Sequence, residues 1–285
     1  MKERHFWWAI AFIGLSWIAN SIYAQSKQLK EPIFLDHYIE TSANHDIITF
    51  YYLANKNDQR HLNYFLINHL NAYLEDEFIY SQEQPYNMQS FRHHVLRSKT
   101  IHLNSMDLAY HSPDKDFSFT NLSAIFSDGT SVDASIGDVT IHSNDPFFSS
   151  DSLRMHSSSS SNSGESSYQF EAIEPITINE ISYSFYERFK DDLLITSNLA
   201  GSPSSIPVDE MDFPIHLEKG QQFTIKITPY QNASIVHPVM FPISVSGFSQ
   251  QGEAFVTSAW YVNQPYLTQQ DVNAIIRKKA RRDSD

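Results

Sequence analysis

One long apolar segment near the start of the chain constrains the fold more than any other feature. The run from Phe6 to Ala19 contains no charged residue and follows Lys2 and Arg4. A positive start before an apolar core of about 7–15 residues is typical of a secretory signal. No second apolar run of comparable length follows it. The segment therefore predicts that residues 25–285 lie together on the far side of a membrane.

The sequence leaves two fates open for residues 1–24. Ala24 is a small residue of the kind that precedes a signal peptidase cut, so cleavage at Ala24–Gln25 would release the rest of the chain. The alternative is an uncleaved anchor at residues 6–24, which as a helix would rise about 28 Å, close to the thickness of a hydrocarbon core. We expect cleavage and keep the anchor as the alternative. Residues 25–32 are polar and are expected to form a spacer.

Charge and cysteine content exclude several classes of protein. The chain has 20 Lys+Arg against 33 Asp+Glu, a net charge of −13, which disfavours binding to nucleic acid. Because it has no cysteine, it can form neither disulfides nor thiolate metal sites. The exported part must therefore fold on its hydrophobic core alone, as one large or two modest domains. We expect a bacterial protein of the cell envelope or the medium.

The spacing of apolar residues indicates β-structure. Apolar and polar residues alternate over residues 223–228, as expected for a strand with one buried face. Asp128-Gly129 between two apolar runs predicts a hairpin. At Asn179-Glu180 the alternation slips by one residue, which predicts a β-bulge.

Two local patterns each allow more than one structural interpretation. Leu62, Phe65 and Leu66 have helical spacing, whereas Leu62, Tyr64 and Leu66 alternate as in a strand, and we favour a helix over residues 60–76. A further strand is predicted around residues 241–245. Pro238 and Pro242 indicate that this strand lies at a sheet edge or that a strand begins there.

Together these patterns predict a mainly β chain with two β-sandwich-like modules, a short helix in the first module and a C-terminal helix. We expect the first β-rich module at residues 33–148 and the second at residues 168–265. Residues 149–167 contain 11 serines and are expected to form a mobile linker or loop. Residues 266–285 should form the C-terminal helix with a basic tail. Its start resembles a capping box, with Thr268 followed by Asp271.

The basic tail is the candidate surface-binding site of this sequence. Its cations are Arg277, Lys278, Lys279, Arg281 and Arg282. Such a cluster would be attracted to anionic lipid or wall polymer by about 1 kcal/mol per residue. The alternatives are that the cations complement the dipole at the end of a helix, or pair with the acidic body of the same protein.

The sequence contains no local motif for catalysis, for a cofactor or for a metal. It lacks His-Glu-x-x-His, Gly-x-Ser-x-Gly and a Gly-rich phosphate loop. Catalytic carboxylates of glycosidases carry no local motif, so a pair remains open among four carboxylates of the second half. These are Glu171, Glu174, Glu180 and Glu187.

We therefore expect an exported protein, envelope-associated or secreted, that is a non-enzymatic binding or structural module. No catalytic, cofactor-binding or metal-binding residue is assigned, and no cofactor is expected. The expected partners are a cell-wall polymer, a membrane surface or another envelope protein, and not nucleic acid. The alternative function is an exported polysaccharide hydrolase that uses a carboxylate pair.

Overall fold

The computed structural model describes residues 3–44, 47–67, 70–73, 87–102, 116–143, 146–147, 151–161, 164–199, 205–230 and 235–282. The helices are α1 (Glu3–Ser26), α2 (Tyr186–Phe189) and α3 (Gln269–Arg282), with a 3₁₀ turn at Val208–Glu210. The strands of the first half are β1 (Ile33–Phe34), β2 (His37–Ser42), β3 (Ile47–Asn55), β4 (Leu62–Ile67), β5 (Leu70–Tyr73), β6 (Asn87–Ser90), β7 (His94–His102), β8 (Phe117–Phe126) and β9 (Ser131–His142). Those of the second half are β10 (Leu153–Ser160), β11 (Ser166–Ala172), β12 (Ile176–Ser182), β13 (Leu193–Leu199), β14 (Ile206–Pro207), β15 (Ile215–Leu217), β16 (Gln222–Pro229), β17 (Val239–Ser249) and β18 (Ala254–Asn263).

The chain is mainly β and ends in a helix, as predicted, and its sheets are consistent with a β-sandwich-like fold. A further helix, α1, lies at the N-terminus. The described strands form three sheets. The first-half sheet has the order β1-β3-β7-β6, and the second-half sheet has the order β10-β11-β16-β13-β14. The long sheet has the order β15-β12-β17-β2-β9-β8-β4-β5, with β18 paired to β17. The long sheet therefore takes strands from both halves of the chain.

Two hydrophobic cores lie against the long sheet. The first is built from residues between Phe34 and Ile141, and the second from residues between Leu153 and Tyr261. The long sheet joins them where β17 and β2 run parallel, with Val239 beside Tyr38. Because one sheet serves both cores, the division into separate modules at residues 33–148 and 168–265 stays a prediction.

Apart from the half-buried Ala24, the described side chains of helix α1 are exposed. The stretch His5–Ser26 is long and apolar enough to cross a membrane by length and composition, and none of its most apolar window is buried. At about 1.5 Å per residue its 22 residues rise about 33 Å. A signal sequence has the same properties, so both fates of the segment fit this helix.

Several local predictions are confirmed. In β16 the alternating residues Phe223, Ile225 and Ile227 are completely buried. Strands β8 and β9 pair antiparallel around the Asp-Gly turn, where Gly129 has a φ of +82°. The register of β12 on β17 shifts between Ile178 and Glu180, which is the predicted bulge.

The favoured helix over residues 60–76 is wrong where the structure describes it, because β4 and β5 form an antiparallel hairpin. A β-bulge between Leu62 and Tyr64 explains the misleading spacing. The bulge advances the phase by one residue, so Leu62 and Phe65 are both buried although they are three positions apart. Residues 68–69 and 74–76 lie outside the described residues.

The serine-rich stretch that was predicted to be a mobile linker or loop is a strand over part of its length. Residues 153–160 form β10, which pairs with β11 from Leu153–Ala172 to Ser160–Ser166. Backbone hydrogen bonds hold an edge strand whatever its side chains are, so a strand with only Leu153 buried can still form. Residues 148–150 and 162–163 lie outside the described residues.

Strand β17 lies inside the long sheet, so the prediction of an edge strand there is wrong. It pairs with β18 on one side. On the other side it pairs with β2 at Val239 and Met240, and with β12 from Ser244 onward. On that side, Pro242 lies between the residues that pair with β2 and those that pair with β12. Neither strand therefore needs a hydrogen bond from the N–H that proline lacks. Pro238 does precede the start of the strand, as the alternative prediction had it.

Candidate functional site

A pocket of about 230 Å³ opens between the long sheet and the second-half sheet. Its apolar floor is lined by five residues: Ile181, Leu193, Leu194, Ile195 and Val208. Its rim carries three tyrosines and three further polar groups: Tyr183, Tyr186, Tyr230, Ser182, Lys190 and Asp209. Concave sites with apolar walls and a few polar groups are the usual form of small-ligand sites. We call this site the tyrosine pocket.

Tyr183 is fixed by the second core. It follows the last residue of β12, and its ring stacks on that of Phe241, with centroids 5.4 Å apart and an interplanar angle of 11°. Burial raises the pKa of Tyr183 well above its usual range, and the nearby Tyr186, Asp209 and Tyr230 raise it further. Its hydroxyl therefore stays protonated at neutral pH. It makes no hydrogen bond to any residue that the structure describes, so it can donate one to a ligand.

Tyr186 is presented by the single turn of α2. The turn is anchored by Phe189, which is 1% exposed and meets the ring of Tyr38 at 89° with centroids 5.3 Å apart. Tyr186 itself remains 36% exposed and lies edge-on to Tyr183, with centroids 5.6 Å apart. Its hydroxyl donates a long hydrogen bond of 3.5 Å to Asp209. The two rings thus form adjoining walls at an angle of 66°.

Two charged side chains, Lys190 and Asp209, line the tyrosine pocket. Lys190 pairs with Glu187 at 2.5 Å, and its Nζ lies 5.9 Å from the centre of the Tyr186 ring. Asp209 contributes one negative charge to the lining and accepts the hydrogen bond from Tyr186. Because one lysine and one aspartate line the pocket, its wall carries no net charge of its own.

The structure brings two cations of the predicted basic tail onto the body of the protein. The Nζ atoms of Lys278 and Lys279 lie 3.0 and 2.9 Å from the carboxylate of Asp36, whose side chain is 7% exposed. Lys279 also donates to the carbonyl of Ser135 at 2.6 Å. Burial alone would raise the pKa of Asp36, but hydrogen bonds from Lys279 and Lys278 and their charges hold it well below its usual range. These two lysines therefore fasten α3 to the body.

The other three cations of the tail are placed differently. Arg277 is exposed, and its Nε donates to the carbonyl of Asn273 in the same helix. The side chains of Arg281 and Arg282 lie outside the described part of the chain. The role of the five cations as a surface-binding site stays a prediction.

The four glutamates considered for catalysis lie on different elements. Glu174 accepts a hydrogen bond from Ser152 at 2.8 Å, and Glu171 lies 3.6 Å from His156. Glu180 is exposed on β12, and Glu187 pairs with Lys190. Within the described residues, no group of three His, Asp or Glu side chains could hold a metal ion.

One buried histidine has a structural role. His37 is fully buried, and its burial lowers its pKa to about 3, so the ring is neutral. Its Nδ1 donates to the carbonyl of Leu35 at 2.8 Å, and its Nε2 accepts from the N–H of Tyr51 at 2.9 Å. This ring therefore bridges the segment before β2 to β3.

Sequence reasoning missed the tyrosine pocket. Its residues come from segments around positions 181–195, 208–209 and 230, which only the fold brings together. One local signal was present, because Tyr183 and Tyr186 stand in a short aromatic run after a strand. Strand β12 ends at Ser182, so this run lies directly after it.

Comparisons with known proteins give no family. No family model matches the chain, and no curated protein matches it. Among solved structures, it is similar to the collagen-binding domain of surface protein RspB from Erysipelothrix rhusiopathiae, with 8% identity over 82% of this chain and 92% of that chain and a TM-score of 0.23. It is also similar to the Enterococcus faecalis MSCRAMM ACE, with 10% identity over 85% and 97% of the two chains and a TM-score of 0.24.

A third similar structure is a Ca²⁺-stabilised adhesin of an Antarctic bacterium that binds ice. It shows 9% identity over 82% of this chain and 48% of that chain, with a TM-score of 0.21. At TM-scores of this size the likenesses carry no argument about the fold, the ligand or the mechanism of this protein.

Proposed function

We propose that this protein is exported and binds an external envelope polymer through the tyrosine pocket, without catalysing a reaction. The observation that carries the proposal is the pocket itself. Its apolar floor can desolvate a ligand, and its rim offers three aromatic rings with a few polar groups for orientation. Aromatic residues are common anchors of binding sites because they supply a large contact area with a polar end.

The contacts at the start of the body are compatible with cleavage after Ala24. Leu29 and the side chain of Asn55 exchange two hydrogen bonds of 2.8 Å each, and the ring of His94 contacts the carbonyl of Lys27 at 2.9 Å. All of these groups lie beyond Ala24, so loss of residues 1–24 leaves them in place. Of the removed residues, Tyr23 contacts the body, with its ring edge-on to His93.

A binding role accounts for the pocket better than hydrolysis does. The two charged groups of the rim are exposed, and Lys190 is already paired with Glu187. A hydrolase of the expected kind would instead place two carboxyl groups about 5–10 Å apart across the ligand. In the tyrosine pocket, Asp209 is the carboxylate that lines the wall within the described residues.

The proposal is tested with the full chain expressed under its own leader in a bacterium. We expect the protein recovered from the medium to have an intact mass that begins at Gln25. It should also sediment with purified cell-wall polymer and release no soluble sugar from it. Full-length protein found in the membrane fraction would contradict cleavage and support the anchor. Failure to sediment with the polymer, or digestion of it, would contradict the binding role.

A further inference from the structure

We propose that the tyrosine pocket takes one neutral sugar residue of the external polymer, held between tyrosine rings and the polar groups of the rim. This inference rests on the proposed binding function and adds the chemical class of the ligand. Four properties of the pocket point to it: its size, its aromatic faces, its charge and its hydrogen-bonding groups.

The size of the pocket suits a single ring. Sites for drug-sized molecules have volumes of about 300–1,000 Å³. The tyrosine pocket, at about 230 Å³, is smaller and open to solvent on one side. A single residue of a longer chain can therefore enter it while the neighbouring residues remain outside.

The aromatic faces suit the face of a pyranose. Tyr186 is 36% exposed and Tyr230 is 43% exposed, so both rings are accessible at the rim. One face of a pyranose presents C–H groups that pack on an aromatic ring, while its hydroxyls point outward. Tyr183, held by Phe241, adds a wall that does not need to be ordered when the ligand binds.

The charges of the pocket do not select an ionic ligand. Lys190 is already paired with Glu187, and Lys190 and Asp209 together give the lining no net charge. An anionic polymer would be repelled by a chain with a net charge of −13. A neutral ligand avoids this repulsion.

The hydrogen-bonding groups match a set of hydroxyls. A sugar hydroxyl donates one hydrogen bond and accepts others, so a matching site needs donors and acceptors together. The phenol of Tyr183 and the ammonium of Lys190 can donate, and the carboxylate of Asp209 can accept. Loss of one such hydrogen bond should weaken binding about five-fold.

Calorimetry with defined oligosaccharides tests the inference on the protein secreted from the full chain. The neutral probes are cellotetraose, maltotetraose and tetra-N-acetylchitotetraose. The charged probes are chitotetraose without acetyl groups, which is cationic, and tetragalacturonate, which is anionic. We expect at least one neutral probe to bind with a Kd of about 1 mM or lower, and both charged probes to bind at least about ten-fold more weakly.

Variants locate the binding. Tyr230→Ala should weaken binding of the neutral probe about ten-fold, and Asp209→Asn about five-fold. Tyr266→Ala is the matched control, because Tyr266 is 83% exposed and lies outside the pocket, and it should change nothing. The inference would be overturned if no neutral probe bound or if a charged probe bound more tightly. It would also be overturned if Tyr230→Ala bound the neutral probe as tightly as the wild type does.

The two proposals fail in different ways. If sedimentation with wall polymer depends on Tyr230 but no neutral tetrasaccharide binds, the inference about the sugar is wrong and the binding function stands. If the protein neither sediments with the polymer nor binds the neutral probes, both are wrong.

Discussion

The ring of Tyr183 stacks on the ring of Phe241, with centroids 5.4 Å apart and planes inclined by 11°. Phe241 is fully buried in the second core, whereas Tyr183 forms a wall of the tyrosine pocket. Phe189, which anchors α2, stacks on the same ring, with centroids 6.0 Å apart. One buried phenylalanine therefore positions two walls of the pocket.

Truncation of Tyr183 should cost stability through the lost ring and not through the lost hydroxyl. We expect Tyr183→Ala to lower the free energy of unfolding by about 2 kcal/mol, since the ring is half-buried and stacked. Tyr183→Phe keeps the stack and should change the free energy of unfolding by less than about 0.5 kcal/mol. Urea unfolding followed by tryptophan fluorescence measures both. An equal loss in the two variants would show that the stack is not what stabilises this site.

Two neighbouring lysines of α3 pair with Asp36, and they should contribute unequally to the free energy of unfolding. Lys279 has a side chain that is 14% exposed and contacts both Asp36 and Ser135, whereas the Lys278 side chain is 51% exposed. We expect Lys279→Met to lower the free energy of unfolding by about 2 kcal/mol and Lys278→Met by less than about 1 kcal/mol. Methionine and lysine have similar helix propensities, so the comparison isolates the charge. A larger loss for Lys278→Met would contradict this account.

His142 should make stability fall as the pH rises from neutral. Its Nε2 lies 2.9 Å from Glu40 and its Nδ1 lies 2.8 Å from Asp116, and it packs on the ring of Phe147. Burial acts to lower the pKa of His142, but hydrogen bonds and charge from the two carboxylates raise it above 6.5. The stabilisation is then complete below the pKa of the unfolded chain and is lost as the pH rises through the pKa of the folded state.

The measurement for His142 is a difference between two proteins. We expect the wild type to exceed His142→Gln in unfolding free energy by about 1 kcal/mol at about pH 6, and by less at about pH 9. Other titrating groups are common to both proteins and cancel. A difference that grows with pH would show that the sign is wrong.

Two glycines of similar backbone conformation should respond differently to alanine. Gly137 and Gly129 have φ values of +89° and +82°, so both would be strained by a side chain. A Cβ on Gly137 would lie 2.3 Å from the carbonyl oxygen of His37, whereas one on Gly129 would meet nothing within 4 Å. We expect Gly129→Ala to cost about 1 kcal/mol and Gly137→Ala about 3 kcal/mol or more. Thermal unfolding of the two variants tests the ranking, and equal costs would contradict it.

The sequence predicted those strands in which apolar side chains are buried and polar side chains face water. Alternation in β16, the Asp-Gly hairpin and the bulge after Ile178 all follow from local burial and turn chemistry. The predictions from sequence were wrong where the pairing of strands, and not local burial, determines the structure. The bulge at Leu62 produced a helical spacing within a strand, and the serines of β10 are held by the backbone of β11.

The candidate site could not be predicted for a related reason. Ile181, Val208 and Tyr230 meet only because three segments end at the same opening between two sheets. Local sequence patterns do not show that residues so far apart in the chain lie together. The basic tail, in contrast, was visible in the sequence, but its partner Asp36 is more than 200 residues away along the chain, and only the fold shows the pairing.

Sedimentation of pocket variants with purified wall polymer shows whether the tyrosine pocket is the binding site. The full chain is expressed under its own leader, and wild type, Tyr230→Ala and Tyr266→Ala are compared at equal concentration. We expect wild type and Tyr266→Ala to sediment equally, and the bound fraction of Tyr230→Ala to fall because a rim ring of the pocket is gone. Equal sedimentation of all three proteins would show that the tyrosine pocket is not the binding site.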